Sequence, residues 1–152
     1  MAIAEVSFVS RQAAEALMFH PDTAIISVTD PGKRQAALPV WFRQVLRLSF
    51  YDAVPGDDFI PIPVPGCFDY LMARSIHDFV AGLHQAPAHY RIVVHCEEGV
   101  SRSAAIALYI AGLTGAQLPD RHRAHRANPW VLETLAALPP GLDIEIPSAS
   151  LG

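Results

Sequence analysis

Residues 91–108 have the sequence RIVVHCEEGVSRSAAIAL, and this stretch decides the fold. Ile92, Val93 and Val94 are consecutive β-branched residues, which is typical of a strand buried on both faces. The residues that follow Ser103 are apolar and rich in alanine, which predicts a buried helix. A strand and a helix joined by a short loop are the building unit of α/β proteins. The stretch therefore predicts a single α/β domain with a central, largely parallel sheet flanked by helices.

The rest of the chain alternates between strand-like and helix-like patterns in the same way. Further strands are predicted at residues 3–9, 24–28 and 43–50, and helices at residues 10–18, 67–85, 119–127 and 130–138. Hydrophobic residues make up 51% of the 152 positions, which is enough for a substantial core. We expect the domain to span residues 1–146 and a short tail to follow at 147–152.

Composition and charge disfavour several classes of protein. The formal net charge of −4 argues against nucleic-acid binding. No apolar run approaches the roughly 20 residues of a transmembrane helix, so we expect no membrane association, and the N-terminus lacks the pattern of a secretory signal. Two cysteines, Cys67 and Cys96, do not form a disulfide framework, so we expect a reducing, cytoplasmic location.

The loop between the predicted strand and helix combines a thiol with an arginine six positions later. Backbone N–H groups of such a loop and the positive end of the following helix favour binding of a tetrahedral anion. They would also favour the thiolate of Cys96, while the planar guanidinium of Arg102 suits two phosphoryl oxygens. The sequence thus predicts a phosphate-binding loop with Cys96 as nucleophile. The predicted phosphate-binding residues are Glu97, Glu98, Gly99, Val100, Ser101 and Arg102.

A simpler interpretation is that Cys96 is an inert, buried thiol, since free cysteines are often buried. The spacing of Gly99, Arg102 and Ser103 between a strand and a helix favours the functional interpretation. Glu97 and Glu98 need only present their backbone amides to an anion, so their side chains are expected to point toward solvent. Acidic residues at the rim also disfavour polyanionic phosphoinositide substrates.

Residues 95–103 match the protein tyrosine phosphatase signature, His-Cys-x5-Arg-Ser/Thr, with glycine at its usual place. The order of elements resembles the compact dual-specificity type and differs from the low-molecular-weight phosphatases, whose loop follows the first strand. The resemblance covers about residues 43–138 and, more loosely, the N-terminal third. It implies Cys96 as nucleophile, Arg102 as phosphate ligand and Ser103 as helper of the leaving thiolate. We expect no cofactor or metal, and a phosphorylated protein or small phosphomonoester as substrate.

In the resembled family, the general acid is an aspartate on the loop after the strand that precedes the long helix. Asp52 directly follows the predicted strand 43–50 and fits that position, with Asp58 and Asp57 as alternatives further along the same segment. This segment, residues 51–66, is longer and richer in proline than in the family. Long loops without secondary structure of their own are often functional.

Several other residues have two interpretations. The basic run at 121–126 either contacts substrate phosphates or forms a solvated helix face, and Asn128 is a candidate brace for the central loop. Cys67 either forms a reversible, protective disulfide with Cys96 or is unconnected to it. Three aromatic residues are expected either to wall the cleft or to lie in the core: Tyr51, Phe59 and Phe68.

Two other functions remain open for the central loop. One is a phospho-ligand-binding module with poor turnover. The other is a different thiolate enzyme, such as a rhodanese-like sulfurtransferase, although Arg102 and Ser103 favour phosphate. Phosphomonoester hydrolysis through a phosphocysteine is the function that the sequence favours.

Overall fold

A parallel sheet of four strands forms the centre of the structure, a computed structural model that describes residues 3–56 and 64–149. The strands are β1 (Glu5–Ser10), β2 (Thr23–Thr29), β3 (Gln44–Ser49) and β4 (Arg91–Cys96). Their spatial order is β1-β4-β2-β3, and every neighbouring pair is parallel. The predicted α/β domain with a parallel sheet flanked by helices is confirmed.

The two central strands are the most apolar, as their position requires. Every residue of β2 is buried, and so is every residue of β4 after Arg91. Because side chains alternate along a strand, one set packs into the main core with the helices and the other set points to the opposite face. Ile26 and Val94 belong to the main core, whereas Ser27 and His95 are register partners on the other face.

The helices are α1 (Arg11–Glu15), α2 (Tyr70–Gln85), α3 (Arg102–Thr114) and α4 (Pro129–Ala136), with a 3-10 helix at Arg121–Arg126. The first ten residues of α3 are buried, and α3 packs against β1, β4 and α4. Within the described ranges, no helix is long and apolar enough to cross a membrane. The loop before α3 lies between the end of the central strand β4 and the start of this buried helix.

Three predicted helix boundaries were wrong. α2 begins at Tyr70 rather than at Cys67, because the Asp69 side chain caps it by accepting a hydrogen bond from the Met72 N–H at 2.9 Å. α1 ends at Glu15 instead of residue 18. The basic segment forms a six-residue 3-10 helix and not a helix spanning 119–127.

Residues 141–149 contain neither helix nor strand but pack onto the domain. Leu142, Ile144 and Ile146 contact the core, and a Cβ added at Gly112 would lie 2.7 Å from Ile144 Cδ1. The glycine on α3 therefore allows this segment to pack closely against the helix.

Candidate functional site

The carboxyl ends of three neighbouring strands meet around one cavity of about 360 Å³. Cys96 ends β4, Asp30 follows β2, and Asp52 comes three residues after β3. All three line the cavity together with Arg102 from the start of α3. Ligands of parallel sheets bind beyond the carboxyl ends of the strands, so this cavity is the candidate site.

The loop from residue 97 to 101 is fixed through its carbonyl groups, which leaves its amides free. The Arg11 N–H donates to the Glu97 carbonyl at 3.1 Å, and the Asn128 N–H donates to the Ser101 carbonyl at 3.1 Å. Within the described part of the chain, the N–H groups of residues 98–102 donate no hydrogen bond. A buried backbone N–H without a hydrogen-bond partner costs free energy, so these donors favour binding of an anion in the cavity.

Gly99 gives the loop a conformation that a side chain would block. Its φ is +73°, and a Cβ at this position would collide with the backbone of Val9 and Ser10. The loop therefore lies directly against the end of β1, and glycine is needed both for the angle and for the close approach.

We expect Gly99→Ala to destabilise the domain by about 2 kcal/mol or more, since backbone strain and collision with a fixed strand add together. Gly115→Ala is the matched control, because Gly115 has a similar φ of +78° but no neighbouring atom within 4 Å of an added Cβ. It should cost only about 1 kcal/mol from the angle alone. Urea unfolding measures both free energies. Equal losses would show that the collision is relieved by movement of the loop.

The Cys96 thiol lies at the base of the cavity and is almost fully buried. Its Sγ is 3.1 Å from Oγ of Ser103, which is completely buried. A neutral thiol donates in this contact, whereas a thiolate accepts a hydrogen bond from the hydroxyl. The structure thus brings the predicted nucleophile and its predicted helper into direct contact.

Arg102 is buried, and its guanidinium is oriented by two acceptors. Its Nη1 donates to Asp30 Oδ1 and to the Phe50 carbonyl, both at 2.7 Å. Its Nε is buried and has no hydrogen-bond partner among the residues that the structure describes. One edge of the guanidinium is therefore anchored, and the buried Nε is a donor that these two contacts leave unused.

Asp30 is the anchor of Arg102 and also pairs with Lys33 at 3.3 Å. Although burial raises the pKa of Asp30, the hydrogen bond and charge of Arg102 and then of Lys33 outweigh it, and the pKa lies below its ordinary value. The carboxylate is therefore ionised at neutral pH and holds the guanidinium in one orientation.

His95 is completely buried and connects β4 to β2. Its Nδ1 is 3.2 Å from the Cys96 carbonyl, and its Nε2 is 2.6 Å from Oγ of Ser27. Because a carbonyl only accepts, Nδ1 carries the proton, and the Ser27 hydroxyl donates to Nε2. Burial lowers the pKa of His95 from 6.5, which keeps the ring neutral.

This neutral histidine predicts a loss of stability in mild acid. Below pH 6.5 the unfolded chain takes up a proton at His95 that the folded chain resists, so the free energy of unfolding decreases as the pH falls. The His95 contribution has a slope of at most about 1.4 kcal/mol per pH unit. Urea unfolding between pH 7.5 and 5 should show a shallower slope for His95→Asn. His89→Asn, at an exposed histidine, should retain the wild-type slope; equal slopes for all three proteins would refute this assignment.

Asp52 is exposed at the mouth of the cavity and is held by two donors. Its Oδ1 accepts from Oγ of Ser101 at 2.8 Å and from Nδ2 of Asn128 at 2.7 Å. The structure thus brings Asp52 to the same cavity as Cys96. The alternative acids Asp57 and Asp58, like Phe59, lie outside the described residues.

The rim of the cavity carries charges of both signs. Lys33 and Arg126 line it, together with the acidic Glu97 and the exposed Glu98. Glu97 Oε2 lies 3.7 Å from Arg11 Nη1, within ion-pair distance but too far for a hydrogen bond. In the basic run 121–126, Arg126 lines the cavity. The other basic side chains of this run are exposed.

The remaining candidates divide between the core and the surface. Phe68 is buried and packs against Phe50 with ring centroids 4.7 Å apart, whereas Tyr51 is 47% exposed. Phe68 is therefore a core residue and not a wall of the cleft. Cys67 and Cys96 are both buried and free, and a bond between them stays a prediction.

No family model, curated protein or solved structure matches this chain.

Sequence reasoning missed two groups that orient the site. The sequence pattern does not mark either as a site residue: Asp30 follows the predicted strand 24–28, and Ser27 lies within it. The rule that ligand sites lie beyond the carboxyl ends of parallel strands was sufficient to find Asp30. No signal in the sequence pointed to Ser27, whose role depends on its register opposite His95.

Proposed function

We propose that this chain is a metal-independent phosphomonoester hydrolase that acts through a phosphocysteine intermediate on Cys96. Its proposed substrate is phosphotyrosine in proteins or another aryl or small phosphomonoester. The proposal is supported by one observation above all. A single cavity is lined by Cys96, Asp52 and an arginine whose buried Nε has no partner within residues 3–56 and 64–149.

In the first step, the Cys96 thiolate attacks phosphorus in line with the ester oxygen. The S–P bond forms while the P–O ester bond breaks, and Asp52 gives its proton to the departing oxygen. The amides of residues 98–102 and the Arg102 guanidinium bind the other phosphoryl oxygens and stabilise their charge in the transition state. Because Asp30 and the Phe50 carbonyl already orient Arg102, little reorganisation is needed during the reaction.

In the second step, water attacks the phosphocysteine. Asp52, now ionised, accepts a proton from the water, and the P–S bond breaks to release inorganic phosphate. The Ser103 hydroxyl, 3.1 Å from the sulfur, donates a hydrogen bond to the departing thiolate. Both steps use Cys96 and Asp52, and the enzyme returns to its starting state.

The charges around the cavity support a single phosphoryl group as the ligand. Asp30, Asp52, Glu97 and Glu98 line the same cavity as Lys33, Arg102 and Arg126. Acidic groups outnumber basic ones, which disfavours substrates that carry several phosphates.

A reactive thiolate also requires a reducing environment, so we propose a cytoplasmic location.

The direct test is hydrolysis of p-nitrophenyl phosphate and of a phosphotyrosine peptide in the presence of EDTA. We expect turnover of both substrates. Acid quenching should also trap a phosphorylated form of the protein, and this form should be absent when Cys96 is replaced. Binding of tungstate without turnover would instead favour a phospho-ligand-binding module. Transfer of sulfur from thiosulfate to cyanide, without phosphatase turnover, would favour a sulfurtransferase.

A further inference from the structure

Asn128 joins both sides of the candidate site although it does not line the cavity. The residue is only 2% exposed and lies directly before α4. Its backbone N–H donates to the Ser101 carbonyl, and its Nδ2 donates to Asp52 Oδ1 at 2.7 Å and to the Ala53 carbonyl at 3.1 Å. One buried residue therefore connects the phosphate-binding loop, through its backbone, to the segment that carries the proposed acid, through its side chain.

The orientation of the Asn128 amide is fixed by the helix that it caps. Its Oδ1 accepts a hydrogen bond from the Val131 N–H at 3.1 Å, and a backbone N–H requires an acceptor. The opposite orientation would place two donors against each other and an oxygen against the Asp52 carboxylate. The amide nitrogen must therefore face Asp52.

Both donors to Asp52 bond to the same carboxylate oxygen. Oδ1 accepts from the Asn128 amide and from the Ser101 hydroxyl, so it is a poor position for a proton. In the protonated carboxyl, the acidic hydrogen consequently lies on Oδ2. Asp52 is otherwise exposed and lies in a segment without helix or strand, so these contacts define its orientation.

We propose that Asn128 is a positioning residue for proton transfer, holding Asp52 so that Oδ2 presents the proton to the leaving oxygen. This inference rests on the proposed phosphatase function. General acid catalysis depends on a geometry that an unrestrained aspartate adopts only part of the time. Loss of Asn128 should therefore matter most when the leaving group needs the proton most.

The test compares two substrates with Asn128→Ser, which retains a side chain able to cap α4 but is too short to replace the amide donors. For phenyl phosphate, whose leaving group needs protonation, we expect kcat/KM to fall about 100-fold. For 2,4-dinitrophenyl phosphate, whose leaving group departs unprotonated, we expect less than about a 3-fold loss. Asp52→Asn removes the acid itself, so the ratio of its losses on the two substrates is the largest that loss of the acid can produce.

Asp69→Ser is the matched control. Asp69 caps α2 through the same kind of bond, to the Met72 N–H, but has no contact with Asp52. It should leave the ratio of the two activities unchanged. Asn128→Asp provides a second variant that caps α4 as well as asparagine does and replaces the donor facing Asp52 with a carboxylate oxygen. It should show the same selective loss as Asn128→Ser.

The inference is overturned if Asn128→Ser and Asn128→Asp lower both activities by equal factors or leave both unchanged. That outcome differs from failure of the proposed function, in which the wild-type protein hydrolyses neither substrate. Circular dichroism and urea unfolding establish that each variant is folded before its rates are compared.

Discussion

Cys96→Ser is expected to lower kcat for aryl phosphate hydrolysis by at least about 10,000-fold, the scale of loss when an enzyme loses its nucleophile. A serine hydroxyl reacts only when a neighbouring base removes its proton. The side-chain partner of Cys96 is the Ser103 hydroxyl, which is no base, and the nearby His95 ring is engaged with Ser27 and the Cys96 carbonyl. Asp52 acts as an acid in the first step, so among the described residues no side chain hydrogen-bonded to Cys96 would activate a serine there.

The measurements are initial rates with p-nitrophenyl phosphate and trapping of the labelled phosphoenzyme. Cys67→Ser is the matched control, because it makes the same change at a second buried, free cysteine that does not line the cavity. We expect Cys67→Ser to keep kcat within about 3-fold of wild type, as for a change outside the reacting groups. Tungstate should still raise the melting temperature of Cys96→Ser, because the loop amides and Arg102 remain. Equal activities of the two serine variants would contradict the mechanism.

Arg102→Lys is expected to lower kcat/KM by about 1,000-fold, or about 4 kcal/mol of transition-state stabilisation. Lysine retains the positive charge but has a single point of donation, whereas the guanidinium binds Asp30 and the Phe50 carbonyl through Nη1 and keeps further donors free. A lysine ammonium near Asp30 would satisfy that carboxylate and leave the phosphoryl oxygens without a bidentate partner. The effect should fall on both kcat and the affinity for tungstate.

Arg126→Lys is the control for replacing an arginine of the cavity by lysine. Arg126 lines the same cavity, but it is exposed, and in the described part of the chain its side chain has no hydrogen bond or ion pair. We expect its kcat/KM to stay within about 3-fold of wild type because exposed charges are well screened. If Arg102→Lys also stays within about 3-fold of wild type, Arg102 acts only through its charge and not through its fixed orientation.

A local pattern was sufficient to predict the centre of this protein. The strand, loop and helix at 91–108 are consecutive, so β-branched residues, glycine and apolar periodicity all act within a few positions of one another. Cys96, Arg102 and Ser103 were placed correctly at one loop for the same reason. The choice of Asp52 came from the family resemblance, and the structure places the end of β3 at the same edge of the parallel sheet as the end of β4.

The helix boundaries show where local patterns become ambiguous. Apolar periodicity extended the predicted helix back to Cys67, but the Asp69 cap starts it at Tyr70. Periodicity identifies the buried face of a helix, and the cap determines its first residue. The position of Cys67 outside α2 was therefore decided by one side-chain hydrogen bond.

By itself, the sequence determined the α/β class and the strand, loop and helix that bring Cys96, Arg102 and Ser103 together. The tertiary structure alone decided the contacts that orient them. Arg102 and Asp30 are 72 positions apart, Ser27 and His95 are 68 apart, and Asn128 and Asp52 are 76 apart. Such pairs depend on strand order and register, which local residue preferences do not specify. The loop between β4 and α3 brings Cys96, Arg102 and Ser103 together, and the packing of distant segments fixes the orientation of the side chains around them.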